Sequence, residues 1–119
     1  MQYVLMIYQG TTPLPNTDEW NALPKEEQKK IYADYNALNN TPGLTPGAPL
    51  GLPQEAKTVR VDGGKTITSD GPYNDVDGAV GGYAVFEADD LDAAIDLASR
   101  IPAARLGGAI EVRPVATYW

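Results

Sequence analysis

The sequence predicts a single α+β domain over residues 1–119, because three kinds of local pattern alternate along it. An apolar run opens the chain, two later segments space their apolar residues as helices do, and a Gly-Gly turn joins two alternating segments. The predicted order is strand, helix, strand, strand, strand, helix, strand. Without one strand of the hairpin this is the βαββαβ order, so we predict a ferredoxin-like protomer with an extra β-hairpin.

The first strand is predicted at residues 3–8, an uninterrupted apolar run with β-branched and aromatic members. A short run without polar alternation is typical of a strand that is buried on both faces. Gly10 and Pro13 follow, which argues against a helix. Residues 9–19 are predicted to form an exposed connection.

The first helix is predicted to start near Pro24, whose fixed φ suits a first helical turn. Ile31, Tyr35 and Leu38 follow at positions i, i+4 and i+7 and form an apolar stripe. The next segment, 41–53, contains four prolines and three glycines and has neither helical nor strand periodicity. It is predicted to be an ordered or semi-rigid loop, and we favour a spacer over a lid above a site.

A β-hairpin is predicted in the middle of the chain. Residues 57–61 alternate, the turn 62–64 reads Asp-Gly-Gly, and residues 66–68 return. Glycines in such a turn adopt positive φ without steric cost. A further strand at 82–86 is long enough to be central in a sheet.

The second helix is predicted to begin after Asp89 or Asp90 and to end before Pro102. Its buried stripe is predicted to be rich in small side chains: Leu91, Ala94, Ile95 and Ala98. The last strand, at residues 109–113, alternates in polarity and places Glu111 and Arg113 on one face as a surface or cross-strand pair.

The predicted sheet has both helices on one face, which leaves its other face uncovered. Two copies that pack their sheets together would cover it, so a homodimer is predicted. The two terminal aromatic residues, Tyr118 and Trp119, are predicted to pack on the second subunit.

The composition excludes several classes of function. The chain has no cysteine and no histidine, which excludes thiolate metal sites, cysteine nucleophiles, Ser-His-Asp hydrolases and histidine-ligated zinc or haem. Its net charge of −7 argues against a nucleic acid or an anionic membrane as partner. We expect neither a signal peptide in the short opening run nor a segment that spans a bilayer. We therefore predict a cytoplasmic protein with no cofactor and no metal site.

Polar groups and backbone constraints come together at the corner 70–73, which reads Asp-Gly-Pro-Tyr. Asp70 is a candidate general base, and the Tyr73 hydroxyl is a candidate donor to a developing oxyanion. Arg60 is a candidate anchor for an acidic substrate or a structural partner of Asp70. Against these roles, Asp-Gly-Pro is ordinary turn chemistry, and Tyr73 and Tyr83 also fit as packing residues.

Together with the opening strand, four short sequence motifs resemble those of the YCII-related superfamily and its DGPF subgroup, and they occur in the same order. The motifs are Thr58-Val59-Arg60, Asp70-Gly71-Pro72-Tyr73, Gly81-Gly82-Tyr83 and Glu111-Val112-Arg113-Pro114. The resemblance covers nearly the whole chain, and the DGPF motif here ends in Tyr73. It implies a dimeric α+β barrel with a pocket near the dimer interface, although the biochemical function of the superfamily is mostly unassigned.

The chain departs from that superfamily at two places. Members continue the corner with Glu, Lys and Glu, whereas this chain has Asp75, Asp77 and Gly78, so the Lys position has reversed its sign. Some members carry a suspected His-Asp pair, in which the Asp precedes a proline after the second helix. Here Ile101 stands before Pro102 and the chain has no histidine, so this pair is missing.

We therefore keep two hypotheses of function. The first is a small protein of unassigned activity that binds a small ligand near the dimer interface, with Arg60, Asp75 and Tyr83 as candidate ligand-binding residues. The alternative is a cofactor-independent lyase or isomerase acting on a small, aromatic acid, with Asp70 as the base and Tyr73 as the helper.

Overall fold

The computed structural model describes residues 1–118, without the side chain of Asp77. The predicted contact of Trp119 with a second subunit and the carboxylate of Asp77 lie outside the described residues. The strands are β1 Gln2–Tyr8, β2 Leu44–Pro46, β3 Lys57–Asp62, β4 Lys65–Asp70, β5 Val80–Glu87 and β6 Ala109–Pro114. The α-helices are α1 Asp18–Asn21, α2 Lys25–Asn39 and α3 Leu91–Ser99. No helix among these residues is long and apolar enough to cross a membrane.

The main sheet is antiparallel and has the strand order β2-β5-β1-β6. With helices after its first and third strands, this order is consistent with the predicted ferredoxin-like fold. The remaining strands, β3 and β4, pair only with each other in a separate two-stranded ribbon. The extra hairpin is therefore present, but neither of its strands belongs to the main sheet.

The strand that completes the main sheet, β2, lies inside the segment 41–53, which was predicted to be a loop. It pairs at the sheet edge through Leu44, Thr45 and Pro46, opposite Phe86, Val85 and Ala84. Three residues are too few to show a period, and a proline that cannot donate to a ladder is tolerated at an edge. The loop prediction was therefore wrong for these residues.

Helices α2 and α3 pack on one face of the main sheet. The core there is a cluster of five buried side chains: Leu5, Leu38, Leu97, Ala98 and Ile101. Leu5 and Leu97 are completely buried, which contributes about 1.5–3 kcal/mol each relative to exposure. Pro24 and Asp90 act as the N-caps of α2 and α3, and the Asp90 carboxylate accepts a hydrogen bond from the Ala93 amide at 2.9 Å.

Two predictions of burial differ from the structure. In α3 the buried stripe is Ala94, Leu97 and Ala98, whereas Leu91 and Ile95 are about half exposed, because the helix turns Leu97 toward the sheet in their place. Residues 9–19 do not form a wholly exposed connection either. Helix α1 begins at the end of this segment and buries Trp20, which packs edge-to-face on Tyr32 at 5.3 Å.

The second face of the main sheet has a row of apolar side chains that none of the helices in the described part of the chain covers. Successive side chains of a strand alternate between faces, so Val4 and Met6 of β1 lie opposite the core, beside Val85 and Tyr83 of β5. Glu111 and Arg113 lie on the same face of the neighbouring strand β6. We call this the open face. The prediction that β1 is buried on both faces was therefore wrong for the single chain: Tyr3 and Leu5 on the core side are buried, whereas Val4 and Met6 are half-buried.

The hairpin β3–β4 projects from the rest of the molecule. Val59 and Val61 are 60% and 71% exposed, and Thr58 is the one residue of the two strands that is partly buried. The radius of gyration is 16.1 Å, against about 13.5 Å for a compact domain of this length. The molecule is accordingly flat, with a smallest extent of 19 Å, as expected for one sheet and one helix layer.

Candidate functional site

The corner 70–73 is attached to the base of the hairpin by its backbone. The Gly71 amide donates to the Ala56 carbonyl at 2.8 Å, and the Thr58 hydroxyl donates to the Gly71 carbonyl at 2.8 Å. Gly71 has φ of 93°, a conformation that side chains with a Cβ rarely adopt. These contacts hold the corner in one position relative to the hairpin.

Asp70 forms an ion pair with Lys57, its cross-strand neighbour on the last rung of the hairpin. Its side chain is 85% exposed. Arg60 stands opposite Ile67 on the other face of the hairpin and forms no ion pair among residues 1–118, so the predicted Arg60–Asp70 partnership is not formed. Within one protomer, Asp70 is therefore neither buried nor next to Arg60.

Tyr73 and Asp75 follow the corner and differ in surroundings. Tyr73 is 76% exposed and lines a cleft of about 420 Å³ between the corner and the loop before β3, which we call the corner cleft. The Asp75 carboxylate accepts a hydrogen bond from the Gly78 amide at 2.8 Å and so caps the 3-10 turn Val76–Gly78. Asp75 therefore has a structural role, and its position three residues before Gly78 is the spacing of an N-cap bond.

Tyr83 lies apart from the corner, in β5. It is a wall residue of a second cavity, of about 330 Å³, between the main sheet and α2, which we call the inner cavity. The five predicted site residues therefore do not converge on a single site in the protomer.

The inner cavity has an apolar lining, formed largely by core side chains of the main sheet and of α2. Its apolar wall includes Leu5, Ile7, Leu38, Leu44, Ala84 and Ile101. The sheet provides space here because Gly82 has no side chain, and a Cβ at that position would meet only the Ile7 Cδ1 at 3.8 Å. The floor of the cavity is thus open at one strand position.

Four polar side chains accompany this apolar wall: Gln9, Tyr35, Asn39 and Tyr83. Burial raises the pKa of the Tyr35 hydroxyl above its usual value, and the nearby Arg105 guanidinium opposes that change only in part. Arg105 is itself paired with Asp34 at 2.9 Å. At neutral pH, Tyr35 is therefore an uncharged hydroxyl that can donate a hydrogen bond.

Gln9 has a polar atom that is buried without compensation. Its Oε1 is inaccessible to solvent and has no hydrogen-bond partner in the described part of the chain. The side chain lies against Gly81, where a Cβ would come within 2.2 Å of the Gln9 Cγ. A buried amide oxygen without a partner destabilises the native state, so this position calls for a physical explanation.

Sequence reasoning singled out Tyr35 as a helix-stripe residue and the pair Gly81-Gly82 as part of a family motif, but it missed Gln9 altogether. The available signal was a polar residue directly after the apolar strand, which is common at strand ends and therefore not specific.

Among residues 1–118, apart from the Asp77 side chain, no group of acidic residues is placed to hold a metal ion.

The fold and the cavity define a small α+β protein with one antiparallel sheet, helices on one face and an uncharged cavity beneath them. The chain belongs to the YCII-related domain family, whose profile matches residues 1–118. It is also 30% identical over 123 aligned residues to an uncharacterized protein of Rhizobium meliloti (strain 1021), covering 99% of this chain and 94% of that protein.

Proposed function

We propose that this chain is a small-ligand-binding protein that holds its ligand in the inner cavity. The observation that carries the proposal is the buried, unpartnered Oε1 of Gln9 in the wall of an otherwise apolar cavity. Ligand sites of this kind combine an apolar lining with a few polar groups, and about 330 Å³ lies at the small end of their range. A ligand that bonds to Gln9 would offset the cost of burying its amide.

The test is a chemical-shift titration of the protein with a set of small aromatic compounds. We expect shifts at the backbone amides of Leu5, Ile7 and Ala84, and their loss in Gly82→Val, which fills the cavity at an unstrained strand position. Thr66→Val, an exposed strand residue of the hairpin, is the matched control. Shifts that cluster around Tyr73, or no shifts at all, would contradict the proposal.

We further infer that the protein acts as a homodimer of the DGPF type, in which two open faces pack into a dimeric α+β barrel. Val4, Met6 and Val85 are half-buried apolar residues on a face that no helix covers. Glu111 and Arg113 on the same face can pair with Arg113 and Glu111 of a twofold-related copy, since a twofold interface pairs one patch with itself. Tyr83, which borders both the open face and the inner cavity, would place the ligand near this interface.

The second candidate is a cofactor-independent lyase or isomerase with Asp70 as the base and Tyr73 as the helper. The observation that favours it is that Tyr73 lines the corner cleft while the bonds of Gly71 fix the backbone of the corner, although Asp70 itself does not line the cleft. In this reading a second subunit has to bury Asp70 and Arg60, which are exposed in the protomer. If the protein turns over a substrate, and Asp70→Asn abolishes that turnover while the variant stays folded, the lyase or isomerase hypothesis is favoured.

A further inference from the structure

The inner cavity has no formal charge in its described wall. Within residues 1–118, apart from the Asp77 side chain, no Asp, Glu, Lys or Arg lines it. A carboxylate or ammonium group against the apolar wall would lose part of its hydration and gain no charged partner, which is unfavourable. The lining therefore discriminates against ionised ligands.

The nearest charges do not alter this conclusion. Arg105 lies close enough to Tyr35 to influence its hydroxyl, but its guanidinium is paired with the Asp34 carboxylate at 2.9 Å. The Asp34 carboxylate offsets much of the positive charge that Arg105 presents toward the cavity. No free cation is thus available from this pair to hold an anionic ligand.

The polar groups of the cavity are suited to a neutral hydroxyl group. Tyr35 offers an O–H donor, and the Gln9 amide offers an oxygen acceptor that nothing in the described chain occupies. A hydroxyl both donates and accepts, so it can satisfy the two groups together. A carboxylate only accepts, so it can bond to the Tyr35 hydroxyl but not to the Gln9 oxygen.

Gln9 can reach a ligand without movement of the backbone. Its amide is the end of a side chain with three rotatable bonds, and it packs on Gly81 in the space that a Cβ would occupy. In the unbound chain the oxygen is packed into the wall of the cavity. Rotation of the terminal torsions turns it toward a bound hydroxyl group.

We propose that the inner cavity selects a neutral, mainly apolar hydroxyl compound of the size of a small substituted phenol, which bonds to Gln9 and Tyr35, and that it rejects the matching carboxylate. This inference rests on the proposed ligand-binding function and adds the chemical class of the ligand. It disagrees with the acidic ligand that the sequence suggested.

The test is a calorimetric titration at pH 7 with three probes of similar shape: 4-ethylphenol, 4-ethylbenzoate and 1,4-diethylbenzene. We expect 4-ethylphenol to bind about tenfold tighter than either of the others, since only it makes the hydrogen bonds without bringing a charge. Equal or tighter binding of 4-ethylbenzoate would overturn the inference but leave the ligand-binding function standing. If none of the three binds, the proposed function itself fails.

Two variants connect the preference to the named side chains. Gln9→Met and Tyr35→Phe should each reduce the affinity for 4-ethylphenol about tenfold while leaving that for 1,4-diethylbenzene nearly unchanged. Gly82→Val should abolish binding of both, with its fold checked by circular dichroism and Gly82→Ala as a milder replacement. Binding of 4-ethylphenol that survives all of these changes would place its site elsewhere and overturn the inference.

Discussion

Lys57 and Asp70 face each other across the last rung of the hairpin and form an ion pair whose two side chains are 68% and 85% exposed. Asp70, the candidate base predicted from the sequence, is therefore already paired. The pair lies on the surface, where ion pairs contribute little to stability because water and salt screen them.

We expect Asp70→Asn to change the free energy of unfolding by no more than about 1 kcal/mol, the usual range for an exposed ion pair. A urea titration measures the change, with Asp62→Asn at the hairpin turn as the control. Lys57→Gln should have the same effect, and the double variant should lose no more than either single one. A loss of several kcal/mol from Asp70→Asn would show that the carboxylate is buried in the functional state.

Replacement of Gln9 should stabilise the unliganded protein. Its Oε1 is buried and has no partner among the described residues, so Gln9→Met removes an uncompensated polar group while keeping a similar side-chain length. The free energy of unfolding should rise by about 1 kcal/mol. Gln54→Met, at an exposed position, should leave it unchanged. A clear loss of stability would instead assign Gln9 a structural role.

Tyr35 should make stability depend on alkaline pH. Because burial raises the pKa of its hydroxyl in the folded state, the unfolded chain ionises this group first as the pH rises above about 10. The native state therefore loses stability from that pH upward, and the contribution is fully present below it. Unfolding in urea at a series of pH values from about 9 to 11 should show a steeper decline for wild type than for Tyr35→Phe. Tyr32→Phe, at an exposed position, is the control, and identical slopes for wild type and Tyr35→Phe would contradict the prediction.

A charge reversal on the open face should weaken the proposed dimer. Glu111→Arg would place like charges across the twofold interface, and the additional change Arg113→Glu would restore opposite charges with the order exchanged. Sedimentation equilibrium should show a dimer for wild type, a dissociation constant at least about tenfold higher for the single variant, and recovery in the double variant. A wild-type protein that is monomeric would contradict the dimeric barrel altogether.

Local patterns were sufficient for much of the fold. The stripe of Ile31, Tyr35 and Leu38 predicted α2, and the Asp-Gly-Gly turn predicted the hairpin, because both depend on neighbours within a few residues. The strand β2 was missed for the opposite reason. Its three residues become a strand only because β5 offers an unpaired edge.

The candidate site shows the same division. A stiff corner at Asp70 to Tyr73 follows from glycine and proline alone, and the structure contains it. Local patterns cannot predict which residues share a cavity. Gln9, Tyr35 and Gly82 are far apart in sequence and come together only where α2 covers the sheet.

Composition and local patterns were thus enough to predict the α+β class, the order of most elements, the YCII-related family and the exclusion of cysteine and histidine chemistry. Only folding shows which strand completes the sheet, that Asp70 pairs with Lys57 and not Arg60, and that the inner cavity has an uncharged wall. The difference arises from the range of the forces concerned. Backbone preferences and caps act between near neighbours, whereas burial and the pairing of charges depend on residues that only folding brings together.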